Sequence, residues 1–231
     1  MDRVKNVSEG GTAPVGASVW LGTALPRGYA DVTDQVDPKG LDLLNADSEF
    51  GGAKTLFEPG KPSRLEAAAE KGKGKAGEDA DGAGRDWVES DTDPQLMLFI
   101  PFQSTLKIHT LHITSLPPRS PAEVEDEVPM RPRTIQLYIN RAHNLGFEEA
   151  EGIQATQTFE LSGKDWDAET GTAKLELRYV KFQNVTSLVI FVVDGDGDGE
   201  RTRIDRIRIA GERGEKREMG KLEKIGDEPG E

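Results

Sequence analysis

Apolar residues recur at every second position over several short stretches of this chain, and that period sets the fold class. Thr134–Asn140 alternates strictly, which puts Ile135, Leu137 and Ile139 on one face, as a half-buried strand requires. Lys174–Tyr179 does the same with Leu175, Leu177 and Tyr179, and Thr156–Leu161 is a shorter candidate. Leu188–Val193 is an unbroken apolar run, the pattern of a strand buried on both faces. Gln95–Ile100 is another, expected to end at Pro101, because proline has no N–H to give a central ladder. The apolar phase slips between Ile108 and Leu111 and again between Ile204 and Ile207, and each slip predicts a β-bulge. Helix signals are few: Pro38–Leu44 and Phe147–Ala150 each suffice for a turn or two. Many short strands with turn signals between them predict an all-β fold, an antiparallel β-sandwich, and argue against a βαβ parallel sheet.

The 231 residues are 35% hydrophobic and 31% charged, too polar for a compact globule if spread evenly. They are not spread evenly. Residues 1–18 and 211–231 read as flexible tails, and 62–85 reads as a low-complexity insertion whose only large aliphatic is Leu65; none holds enough apolar surface to offset chain entropy. A Pro-rich acidic loop at 115–132 separates two strand-like segments. What remains is one folded unit at 19–210. With 29 basic and 42 acidic residues the net charge is −13, which argues against a nucleic-acid partner, since that needs clustered Lys and Arg. No apolar run approaches the roughly 18 residues of a membrane span, and the polar N-terminus lacks the apolar region of a secretory signal. There is no cysteine, which excludes disulfides, thiolate metal sites and thiol chemistry and fits a protein of the cytoplasm and nucleus. Asn6–Ser8 and Asn184–Thr186 match the glycosylation pattern, read as chance matches without a signal peptide.

Candidate chemistry is sparse. A nucleophilic triad needs a histidine base held by an acid; the three histidines, His109, His112 and His143, read as surface or strand-end residues. Glu148, Glu149 and Glu151 lie close enough in sequence to suggest paired carboxylates for glycoside hydrolysis, against a plainer reading as a solvated loop or helix end. Trp20, Trp87 and Trp166 raise sugar stacking, against packing into or over the core. Arg201, Arg203, Arg206 and Arg208 are the one basic cluster on a structured segment. With strand alternation Arg206 and Arg208 share a face, either as a solvated edge guarded by charge or as a patch that recruits an acidic partner. Asp194, Asp196 and Asp198, then Gly199 and Asp205, follow the spacing of a calcium loop; the plainer account is an acidic hairpin with glycines for turn geometry. Met219, Leu222 and Ile225 recur at three-residue spacing in the tail, a short stripe if that tail were helical and otherwise plain disorder.

Several motifs in order resemble one family. Asp86–Asp91, Gln95 and Leu96, Ile100–Phe102 and Leu106–His109 are similar to the PITH domain, the proteasome-interacting domain found behind thioredoxin in thioredoxin-like proteins. Arg178–Val185 and Thr202–Asp205 extend the resemblance, and Asp31–Asp34 with Gly40–Asn45 resemble its lead-in, so that it covers about Leu25–Gly211. The resemblance implies a jelly-roll sandwich similar to galactose-binding-like domains. It also implies a non-enzymatic interaction module that docks, as a monomer, on the proteasome regulatory particle. The thioredoxin domain and its redox motif are absent from the sequence, so no redox activity is carried over and the chain resembles the stand-alone form. No catalytic, cofactor-binding or metal residue is implied. The alternative from another class is a small-ligand-binding sandwich, for carbohydrate or calcium.

Overall fold

The computed structural model describes residues 19–65, 85–118 and 128–214. The disorder expected of 1–18, of most of 62–85 and of the tail past Gly214 therefore lies outside the described residues, as do the centre of the Pro-rich loop at 115–132 and the Met219, Leu222 and Ile225 stripe.

Ten strands form in chain order: β1 (Ala30–Asp31), β2 (Asp42–Leu44), β3 (Val88–Glu89), β4 (Leu96–Thr114), β5 (Pro132–Ile139), β6 (Gln157–Glu160), β7 (Thr172–Glu176), β8 (Val185–Gly195), β9 (Arg203–Ile204) and β10 (Arg206–Arg213). Every pairing between them is antiparallel. The 19-residue β4 organises the fold. Its first part pairs with β8 and β2, with Ile100 opposite Leu188 and Phe99 opposite Asp42. Its second part pairs with β10 and β7, with Leu111 opposite both Ile209 and Leu175. One strand thus crosses from layer to layer, and the register breaks between Pro101 and Leu106, as expected where a strand turns a sandwich corner. The first layer runs β6-β5-β8-β4-β2 and the second β1-β10-β4-β7. This is the antiparallel sandwich that the period predicts, of the jelly-roll type that the resemblance implies.

The inner faces meet in one apolar core. Leu98 and Ile100 of β4, Ile135 and Leu137 of β5 and Leu188, Ile190 and Val192 of β8 face Leu111, Leu175, Ile207 and Ile209. Leu188–Val193 is buried on both faces as its composition demands, because Val189 and Phe191 point outward into a second cluster. There they meet Met97, Phe99 and Tyr138 under Leu145 and Ala150. The short helix Phe147–Gly152 forms that cover where a helical turn is expected.

Three local expectations need correction. Pro101 does not end a strand: it lies at the corner opposite Ser187, where a missing N–H costs no central ladder bond. Pro38–Leu44 is a turn leading into β2 rather than a helix, since β4 offers Asp42–Leu44 a free edge. The slip before Leu111 is a bulge, with Ala210 opposite Thr110 and Gly211 opposite Ile108. It needs glycine there, because a Cβ on Gly211 would lie 2.2 Å from the Lys107 carbonyl oxygen. The slip before Ile207, by contrast, is a change of partner. Arg203–Ile204 pairs with β3, Asp205 intervenes, and β10 turns to β4 and β1.

Candidate functional site

The arginine cluster is the first place where the fold overrules the sequence. β10 lies between β1 and β4, so its arginines do not guard an edge, and neither a solvated edge nor an acidic-partner patch describes them. Arg206 and Arg208 do share a face, but they are 2% and 1% exposed. Trp20 and the segment from Leu56 to Gly60 lie against them, and this irregular backbone presents carbonyls to them. A guanidinium has five fixed donors for such groups. Arg208 donates to the Trp20 carbonyl at 2.8 Å and to that of Glu58. Arg206 donates to the Gly60 and Asp86 carbonyls at 3.2 and 2.5 Å and to the Asp86 carboxylate at 2.6 Å. Burial pushes the Arg208 pKa down to about 10. Burial also works to raise the Asp86 pKa, but hydrogen bonds from Ser63 and Arg206 outweigh it and hold the carboxyl below its ordinary value.

Arg203 is buried as well. It makes an ion pair with the fully buried Asp205 at 2.6 Å and lies 3.8 Å above the Trp87 ring. Asp205 also accepts the Leu116 N–H at 2.8 Å. Burial raises the pKa of nearby Glu89, against the opposing effect of a hydrogen bond from the Trp87 indole. Arg201 is half exposed and paired with Asp47 at 3.0 Å.

The other candidates scatter. His112 is not a surface residue. It is buried under Leu21, whose carbonyl its Nδ1 meets at 3.1 Å, and its Nε2 has no partner; burial lowers its pKa. His109 sits in the bulge, stacked on Tyr29 at 4.0 Å, and His143 is exposed. Glu148, Glu149 and Glu151 lie on the exposed side of the short helix. Trp166 joins the core, with Arg131 5.3 Å from its ring, while Trp87 is covered by Arg203. In the acidic hairpin, Asp194 pairs with Arg133 and accepts the Thr134 N–H at 2.9 Å, and Asp205 belongs to Arg203. Asp194, Asp196, Asp198 and Asp205 are therefore not brought together, and no group of three or more potential metal ligands occurs among the described residues.

Sequence reasoning missed a surface that the fold assembles. The turn Tyr179–Lys181 follows β7, and Val180 at its tip is 84% exposed. Tyr179 and Tyr29 lie 6.4 Å apart around His109. Arg178 and Lys181, on either side of the turn's tip, line a cavity of about 490 Å³ together with Glu151 and the apolar Ile153, Phe191 and Val193. No pattern in the sequence joins these pieces, because they come from five separated segments.

Comparison with known proteins now bears on this arrangement. The PITH domain model matches residues 22–227. The chain belongs to the PITH domain family. Thioredoxin-like protein 1 of Schizosaccharomyces pombe is 40% identical over 139 residues, covering 60% of this chain and 44% of that protein. A PITH domain-containing protein of Drosophila pseudoobscura pseudoobscura is 25% identical over 178 residues, covering 77% of this chain and 67% of that one. The alignment spans less than half of the first relative's length. Among solved structures, a fucolectin from the serum of Morone saxatilis, striped bass, shows 9% identity and a TM-score of 0.49, covering 80% of this chain and 50% of that one; likeness at that level says nothing of what this PITH domain binds.

Proposed function

We propose that this PITH domain is a non-enzymatic docking module that binds the 26S proteasome regulatory particle, acting in the cytoplasm and nucleus. The observation that supports it is the family match over residues 22–227, which covers nearly the whole described sandwich. The geometry is in keeping with a binding role. The buried ionisable side chains Arg203, Asp205, Arg206, Arg208 and His112 serve to hold the fold, and the surface at Tyr179–Lys181 is open. Affinity capture of proteasome from lysate on the tagged full chain, read by mass spectrometry, tests the reading. Enrichment of regulatory-particle subunits is expected. Retention on a glycan array, or a calcium-dependent rise in melting temperature, without any proteasome enrichment would replace it with the ligand-binding alternative.

A further inference from the structure

We propose that the Tyr179–Lys181 turn and the cavity beside it are the docking face for an acidic segment of a partner protein that carries one apolar anchor. The inference rests on the docking function above and says where and by what chemistry that docking occurs.

The turn presents its apolar tip by construction. Phe182 is fully buried behind it, its carbonyl accepts the Ile108 N–H at 2.9 Å, and the Leu177 N–H donates to the His109 carbonyl at 2.9 Å. The exposure of Val180 is thus held from both sides, and a preorganised anchor point loses little freedom on binding. Only Val19, at 45%, is a second exposed large hydrophobic among the described residues.

Charge selects the partner. Exposed Arg85, Arg133, Arg213, Lys107 and Lys174 each pair with a carboxylate of the chain itself. The Arg178 guanidinium has no such partner among the described residues, and the Lys181 ammonium reaches only the Thr156 carbonyl, at 2.9 Å. Two unneutralised cations flank Val180 on a chain of net charge −13. Cations so placed beside an exposed apolar tip attract an acidic segment and help to orient it. Glu151, which also lines the cavity, disfavours acids beside it, so the segment's acids are left to Arg178 and Lys181. The floor of Ile153, Phe191 and Val193 receives an aliphatic or aromatic anchor, and Tyr29, Tyr179 and Arg178 are of the residue types that dominate binding energy at interfaces.

The test uses the full chain and two probes. Against purified 26S proteasome, Arg178→Glu with Lys181→Glu is expected to weaken binding at least tenfold and Val180→Asp several-fold, with melting temperatures unchanged. Lys54→Glu with Lys164→Glu, an equal change of charge at exposed sites elsewhere, should leave binding within twofold. Unchanged binding in the first variant while the wild type binds overturns the site and leaves the docking function standing. The second probe is a synthetic peptide, Asp-Glu-Leu-Asp-Glu, titrated into the isotope-labelled chain. Amide shifts are expected at 153–158 and 178–182, absent from the double reversal and reduced in high salt. If the peptide perturbs no amide there, the site is overturned whether or not the proteasome binds.

Discussion

The two layers of the sandwich close their outer faces by opposite means. On the β5–β8 layer, Met97, Phe99, Tyr138, Val189 and Phe191 are covered by Leu145, Ala150 and the short helix in a second apolar cluster. On the β4–β10 layer the cover is the irregular chain at Trp20–Leu21 and Leu56–Gly60 with Asp86, tied down by Arg206, Arg208 and His112. Apolar cover tolerates rearrangement, because its energy scales with area and has little direction. Polar cover is directional, and removing one partner leaves a buried group unsatisfied. The arginine face therefore tolerates less change than the apolar face, although both are equally buried.

The largest expected effect comes from breaking a buried charge pair. Asp205→Ala strands the Arg203 guanidinium and the Leu116 N–H, and should cost about 3–5 kcal/mol in chemical denaturation. Adding Arg203→Met to Asp205→Leu should restore most of that loss, since an apolar pair of similar volume leaves no charge behind. A double replacement as unstable as Asp205→Ala alone would show that the pair acts through something other than its charges. Next is Arg208→Met, which keeps the volume but orphans the Trp20 and Glu58 carbonyls. A loss of about 1–3 kcal/mol is expected for such an unsatisfied group, with hydrogen exchange rising around Trp20 and at 56–60 and not in the β5–β8 layer. On the apolar side, Tyr138→Phe removes the hydroxyl bonded to the Ala150 carbonyl at 3.0 Å and should cost only about 1 kcal/mol.

The smallest effect is on pH dependence. Burial depresses the His112 pKa below its ordinary 6.5. Above pH 6.5 both the folded and unfolded chains hold His112 neutral, and its contribution is full. As the pH falls below 6.5 the unfolded chain takes up the proton that the folded chain resists, so stability declines until the folded-state pKa is reached. His112→Gln should flatten this part of a stability profile measured from pH 7.5 to 5. An unaltered slope would assign it to other groups.

The same contrast explains what could be read in the sequence. The β5–β8 layer was legible because Ile135, Leu137 and Leu188–Val193 carry their burial in their periodicity, and the helix at Phe147 completes it. The bulge at Ile108 and Leu111 was legible too, whereas the matching slip at Ile204 and Ile207 was not, because a slipped phase also arises where a strand changes partner. Arg206 and Arg208 were misread because alternation reports which residues share a face, not whether another segment lies over that face. A signal was present in hindsight: Asp86 and the glycine- and proline-rich 51–62 segment need donors, and only a long, multiply donating side chain can supply them. Pro101 misled because the ladder argument assumes a straight strand, and β4 bends. The Tyr179–Lys181 surface was invisible because Tyr29, His109 and Tyr179 are far apart in sequence.

The central claim is that this PITH domain docks through its open turn while the arginine face only holds the fold. Hydrogen exchange on the full chain, free and saturated with purified proteasome regulatory particle, tests it most directly. New protection confined to 153–158, 177–183 and the neighbourhood of Tyr29, with β10 and the 56–60 cover unchanged, is the predicted result. Protection appearing instead along β10 and 56–60, or nowhere in the chain, would contradict it.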